Sequence, residues 1–107
     1  MEKKGTKEGF PFDNQTLVFK VVGKMFALTN VEGFESVNLK VNPEYGVELR
    51  DRYTSVLEAY HMNKKHWITV VMDGTIPDRL VKNLIDGSYN LVVSGLTKSQ
   101  KSTLSSK

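Results

Sequence analysis

The chain has 107 residues, of which 39% are hydrophobic and 25% charged, with no cysteine and a formal net charge of +3. That length supports one domain with one core. The composition excludes disulfides, thiolate catalysis and cysteine-based zinc sites, and no apolar run approaches the roughly 20 residues of a membrane span. The N-terminal residues lack the apolar core of a signal peptide, which together with the missing cysteines predicts a cytoplasmic protein.

Residues 1–9, rich in Lys, Glu and Gly, predict a disordered polar tail. A single domain is predicted over residues 10–96. Leu17, Phe19 and Val21 alternate with Val18, Lys20 and Val22, which is the period of a strand. Gly23-Lys24 suits a two-residue type II′ turn into a second strand over Lys24–Thr29. Val37, Leu39 and Val41 alternate with Asn38, Lys40 and Asn42 and predict a third strand.

Asn42-Pro43-Glu44 is a helix start, with Asn as N-cap and Pro in the first turn. This helix should run to about Tyr53. Residues 56–62 suggest a short extended segment, and His66–Met72 a clear strand rich in β-branched and aromatic residues. Asp73-Gly74 signals a turn. Ile76-Pro77-Asp78 opens a second helix, whose stripe of Leu80, Val81, Leu84, Ile85, Tyr89, Leu91, Val92 and Leu96 runs past Gly87 to about Gly95. Gly87 costs that helix about 1 kcal/mol against alanine. Residues 97–107 predict a Lys/Ser-rich tail. The class is α+β: an antiparallel sheet of four to five strands, one face polar and the other covered by helices.

Location of charge decides how far a nucleic-acid reading can go. Residues 1–9 carry net +1 and residues 97–107 net +3, which leaves residues 10–96 at −1 out of the total of +3. A polyanion surface must therefore come from a local patch. The candidate is Tyr60-His61-Met62-Asn63-Lys64-Lys65-His66-Trp67, a cationic turn flanked by rings. Lys64 and Lys65 would neutralise phosphate, Asn63 would bond to phosphate or a base edge, and His66 would add a donor. Lys20, Lys24 and Lys40 would extend the patch on the polar sheet face, with Arg50 and Arg52 flanking it. The plainer alternative is a solvated hairpin tip whose two lysines supply little charge.

His61 and His66 lack the third ligand that zinc needs, so no metal and no cofactor is predicted. No nucleophile–base spacing or phosphate-cradling glycine loop appears, and the chain does not read as an enzyme. Asp73 reads as turn chemistry and Asp78 as a helix N-terminal charge. Trp67 is expected to anchor the core, while Tyr60 stays open between core and base-stacking roles.

Phe10-Pro11-Phe12, Val18 to Leu28, Asn38-Leu39-Lys40, Glu48-Leu49-Arg50, Tyr60 to Val70, Asp73-Gly74, Ile76-Pro77-Asp78, Leu84-Ile85 and Ser88 to Val92 together resemble the MmcQ/YjbR family over about residues 9–98. In that comparison Tyr60, His61, Met62 and Trp67 are signature positions. The resemblance implies a CyaY-like (frataxin-like) fold and a DNA-binding role, the latter by fold analogy, which is a weak warrant. Family members begin with an amphipathic helix before the Phe-Pro-Phe segment. Here nine polar residues precede Phe10, so either the protein lacks that helix or the sequence starts after it; without the helix, apolar surface is expected to be partly open around Leu84, Tyr89 and Val92, with a homodimer or other cover for that face. The acid-rich first helix that carries iron in frataxins is also absent. The reading is a weak nucleic-acid-binding module, with a protein- or ligand-interaction module as the alternative.

Overall fold

The computed structural model describes residues 5–10, 15–30, 35–59, 63 and 65–105. Six strands and three helices occur among them: β1 (Thr6–Gly9), β2 (Thr16–Val21), β3 (Lys24–Asn30), β4 (Ser36–Lys40), α1 (Pro43–Arg52), β5 (Val56–Glu58), β6 (Trp67–Val71), α2 (Asp78–Ser94) and α3 (Lys98–Ser105). The strands form one sheet in the order β1-β2-β3-β4-β6-β5, with every neighbouring pair antiparallel. The expected α+β class holds.

The sheet has six strands where four to five were expected, and two departures lie toward the ends of the sequence. Residues 1–9 were expected to form a polar tail, yet Thr6–Gly9 pairs with Val21–Val18 as the edge strand β1. The 97–107 tail contains α3, which reaches the core through Leu104, only 8% exposed. The reason is a close fit. Gly5 adopts φ +73°, and a Cβ there would stand 2.5 Å from Leu104 Cδ1. The glycine leaves a notch, and a lone leucine in a polar helix fills it. Hydropathy averaged over either segment conceals this single contact.

The hairpin between β2 and β3 is also displaced by one residue. Val22 and Gly23, not Gly23 and Lys24, are its central positions, at φ +48° and +78°. Positive φ at both positions is the type I′ signature. A β-branched residue in this region is an outlier and carries strain of roughly 1–3 kcal/mol. Half-buried Val22 offsets part of it by packing on the core.

One sheet face carries Ala27, Leu39, Ile68, Val70 and Val56, all buried. Onto it pack α1, over β5 and β6, and α2, over β2, β3 and β4. The opposite face is less polar than predicted. Val18, Leu28, Asn38, Thr69 and Leu57 are cross-strand partners along one row, and Val18 and Leu28 in it are buried. Leu84 and Val92 of α2 are buried too, 2% and 6% exposed, and half-buried Tyr89 packs against the core. The apolar surface expected around these three residues is thus covered by the sheet itself.

Helix α1 follows the predicted start: Asn42 Oδ1 accepts from the Glu44 amide at 3.1 Å, and Pro43 leads the first turn. Helix α2 is attached to the sheet by Ser88, which is fully buried. Its Oγ accepts from the Lys40 amide at 2.8 Å and donates to the Phe26 carbonyl at 2.5 Å. The β3–β4 pairing stops at Ala27↔Leu39; one residue further, Phe26 and Lys40 would face each other. In β2–β3 the register shifts so that Phe26 faces no partner in β2. This bulge turns Phe26 into the core, where its ring meets Tyr89 edge-on at 5.4 Å and Phe19 at 6.4 Å. The Ser88 hydroxyl then replaces the missing rung of the ladder.

Neighbouring positions of α2 should therefore respond in opposite directions. Ser88→Ala strands the part-buried Lys40 amide and the buried Phe26 carbonyl and should cost about 2 kcal/mol. Gly87→Ala should gain about 1 kcal/mol, because nothing lies within 4 Å of the added Cβ. Denaturant unfolding of both variants measures the contrast; a stabilised Ser88→Ala would contradict the bridging role.

Candidate nucleic-acid interface

Antiparallel pairing brings one terminus of each strand to the same end of the sheet. β1 begins there just before Lys7, β2 ends just after Lys20, β3 begins at Lys24, β4 ends at Lys40 and β6 begins at Trp67. Five strands at about 4.8 Å spacing make this row roughly 19 Å long. Lys20, Lys24 and Lys40, predicted on the polar face, thus stand along the strand ends. Glu8 of β1 and Glu58 of β5 lie at the two flanks, and β2, β3, β4 and β6 carry no acid.

Two cavities open along the row. The first, of about 330 Å³, is lined by Lys24, Met25, Lys40 and Trp67 together with Leu91, Val92, Gly95 and Leu96 from the end of α2. Lys40 and Trp67 are direct cross-strand partners. Trp67 was expected in the core, but it is half-buried; Ile68 and Val70 fill the core. The reason is position. Trp67 alternates with the buried Ile68 and Val70, so at the first position of β6 it falls on the other parity of the strand. The second cavity, of about 200 Å³, is lined by Lys7, Lys20, Val22, Gly23, Thr103 and Leu104. Lys7 and Lys20 are also direct partners, and like charges placed opposite repel.

The turn before β6 is partly accounted for. Asn63 Oδ1 accepts from the Lys65 amide at 3.0 Å, and the Asn63 carbonyl accepts from the His66 and Trp67 amides at 3.1 and 3.0 Å. The Asn63 side-chain oxygen therefore shapes the turn. The His66 carbonyl accepts from the Val41 amide at 2.8 Å, which ties the turn to the Lys40 strand end. Lys65 and His66 are exposed. Tyr60, His61, Met62 and Lys64 lie outside the described residues. Arg52 does not flank the row: α1 starts at the Lys40 end and carries it about 15 Å away, to the last turn of the helix. Arg50 shares that last turn, but its guanidinium reaches back to Gly46, close to Val41.

Lys7 was the lysine that sequence reasoning missed, because residues 1–9 read as a tail. The signal was available in Lys7 of Thr6-Lys7-Glu8-Gly9, a short run that alternates once paired to β2.

The opposite end of the sheet holds a polar cluster of a different kind. Ser55 donates to Asp73 Oδ1 and Oδ2 at 2.9 and 2.8 Å and contacts the Thr75 hydroxyl. The Thr75 hydroxyl and amide reach Asp73 Oδ1 at 2.6 and 3.0 Å. Thr75's hydroxyl and amide, then Ser55, hold the Asp73 carboxyl down to about 2 from its ordinary 3.8. With Gly74 at φ +85°, this is the predicted turn chemistry. Among the described residues no three histidine, aspartate or glutamate side chains gather to hold a metal ion. No helix among them is long and apolar enough to cross a membrane.

A family model described as YjbR matches residues 1–91. The chain belongs to the YjbR family. The uncharacterised protein YbdF of Escherichia coli O157:H7 is 42% identical over 90 residues, spanning 83% of this chain and 74% of that protein. The uncharacterised protein YjbR of Escherichia coli K12 is 34% identical over 105 residues, spanning 97% and 89%. Among solved structures, Deinococcus radiodurans protein DR2400, with family-model domain DUF419, superposes with a TM-score of 0.91 at 45% identity, covering 97% of this chain and 80% of that one.

Asp73 gives a pH signature. Its folded pKa is depressed, so the stability it contributes is present above about pH 4 and is lost as pH falls toward about 2. Asp73→Asn should remove that part of the acid-induced loss, seen as a flatter stability profile between pH 4 and 2. A profile parallel to that of the unaltered protein would contradict the assignment.

Proposed function

We propose that this member of the YjbR family is a weak nucleic-acid-binding module of the cytoplasm, and that the lysine row at the strand ends is its contact surface. The observation that carries the reading is the convergence of Lys24, Lys40 and Trp67 on one cavity, with Lys20 and Lys7 beside it and the Lys65-His66 turn next to Trp67. Lysines on four strands spaced along the row suit a chain of phosphates better than one compact anion. The repulsion between paired Lys7 and Lys20 also makes an anionic occupant favourable.

Lys98 and Lys101 of α3 add charge beside this end, since Thr103 and Leu104 of the same helix line the Lys7–Lys20 cavity. Few lysines and flanking acids predict micromolar or weaker affinity at physiological salt, on the order of 10⁻⁴–10⁻⁶ M. The sheet with helices on one face is compatible with the frataxin-like arrangement that the resemblance implies. Iron delivery does not follow from it: α1 mixes Glu44, Glu48 and Asp51 with Arg50 and Arg52.

A second reading, a protein- or ligand-interaction module, rests on a separate observation. A cleft of about 320 Å³ between α1 and α2 is lined by Tyr45, Leu84, Gly87 and Leu91, with Tyr45 and Leu91 exposed. Contact between two copies through this face would make the protein a homodimer.

Polarisation titrations with single-stranded and duplex DNA at several salt concentrations test the first reading. Lys24→Ala with Lys40→Ala should weaken binding about tenfold at low salt and lower the slope of log affinity against log salt by about 2. Unchanged affinity and slope would remove the proposal.

A further inference from the structure

We infer that the Trp67 cavity is a subsite for one unstacked nucleobase, so that the lysine row takes single strands in preference to duplex. The inference rests on the nucleic-acid reading above and specifies what that surface recognises. Three features of the cavity go beyond what phosphate binding needs. Its wall includes a half-buried indole that the core does not use. Its floor is apolar, from Leu91, Val92 and Leu96. Its volume of about 330 Å³ lies at the small end of the roughly 300–1,000 Å³ typical of ligand pockets. That is room for a planar group, and a base can lie on the indole face only once it has left its own stack.

Lys24 and Lys40 line the same cavity, so a base lying on Trp67 would have its own phosphate within reach of an ammonium group. Met25 adds a polarisable neighbour to the ring. Stacking on an aromatic face is sequence-tolerant, because every base has such a face. The pairing of Trp67 with Lys40 and the tie from the His66 carbonyl to the Val41 amide hold the strand that carries the indole in place before any ligand arrives. The indole's own backbone thus needs no ordering on binding.

Trp67 is the chain's single tryptophan, so its fluorescence reports this cavity alone. The experiment titrates the full chain with a single-stranded oligonucleotide, a duplex of the same length, and inorganic polyphosphate, which carries the charge without bases. The single strand should quench Trp67 and bind most tightly, while polyphosphate should bind with little quenching. Trp67→Leu should weaken single-strand binding roughly tenfold and leave polyphosphate binding unchanged. Trp67→Phe, which keeps a ring, should restore most of the loss and guards against misfolding as the cause. Equal quenching by polyphosphate, or single-strand affinity unaffected by Trp67→Leu, would overturn the base subsite while leaving the lysine row intact. No binding of any of the three at low salt would overturn both.

Discussion

A buried serine hydroxyl does the work of a missing backbone rung. Where the β3–β4 ladder ends, Ser88 of α2 accepts from the Lys40 amide and donates to the Phe26 carbonyl. The Phe26 carbonyl is buried and the Lys40 amide part-buried, and leaving a buried group unpaired costs on the order of 1–3 kcal/mol. The helix is therefore held to one position over the sheet. Much else depends on that placement. The bulge that sends Phe26 inward gives Tyr89, the residue after Ser88, a ring to pack against. The next turns of α2 then lay Leu91, Val92 and Leu96 over the ends of β3, β4 and β6. The cavity at Trp67 is a consequence of how α2 is fastened.

The same placement sets the electrostatics. The C-terminal end of a helix carries about half a negative charge, and α2 has no basic residue in its last turn. Lys24 and Lys40, from two strands, stand at that end instead. Two ammonium charges against half a charge leave the cavity positive, yet part of their field is already engaged. An anionic ligand competes with the helix terminus, which is a physical reason to expect modest affinity. At the far end of the sheet the arrangement is reversed: the Ser55–Asp73–Thr75 cluster holds a carboxylate that stays ionised to about pH 2. Lysines thus stand at one end of the strands and the Asp73 carboxylate at the other, a placement that a whole-chain net charge of +3 does not convey.

Local signals were legible in the sequence where one residue decides the geometry. Asn42 and Pro43 marked the start of α1, Gly95 the end of α2, and Asp73-Gly74 the turn before it. What failed to show were features made by a single distant contact. Nothing near Gly5 announces Leu104, ninety-nine positions away, as the side chain that fills its notch. Strand β1 and helix α3 were consequently read as tails, and Lys7 was lost from the site. Trp67 was misjudged for a related reason. A large aromatic beside Ile68-Thr69-Val70 looks like core, but at the first position of its strand it has the opposite parity to the buried Ile68 and Val70. The Ser88 bridge was equally invisible, since serine within Gly-Ser-Tyr-Asn carries no mark of the two backbone groups it will satisfy.

The central claim is about place: ligand recognition belongs to the strand-end row and its Trp67 cavity. The most direct measurement is a titration of isotopically labelled protein with a short single-stranded oligonucleotide, followed by amide chemical shifts. The account predicts shifts concentrated at Lys7, Lys20, Lys24, Lys40 and Lys65 to Trp67, with the Trp67 indole N–H among the largest. Shifts confined to Tyr45, Asn83 and Gly87 in the cleft between α1 and α2, or no shifts at all at low salt, would contradict it.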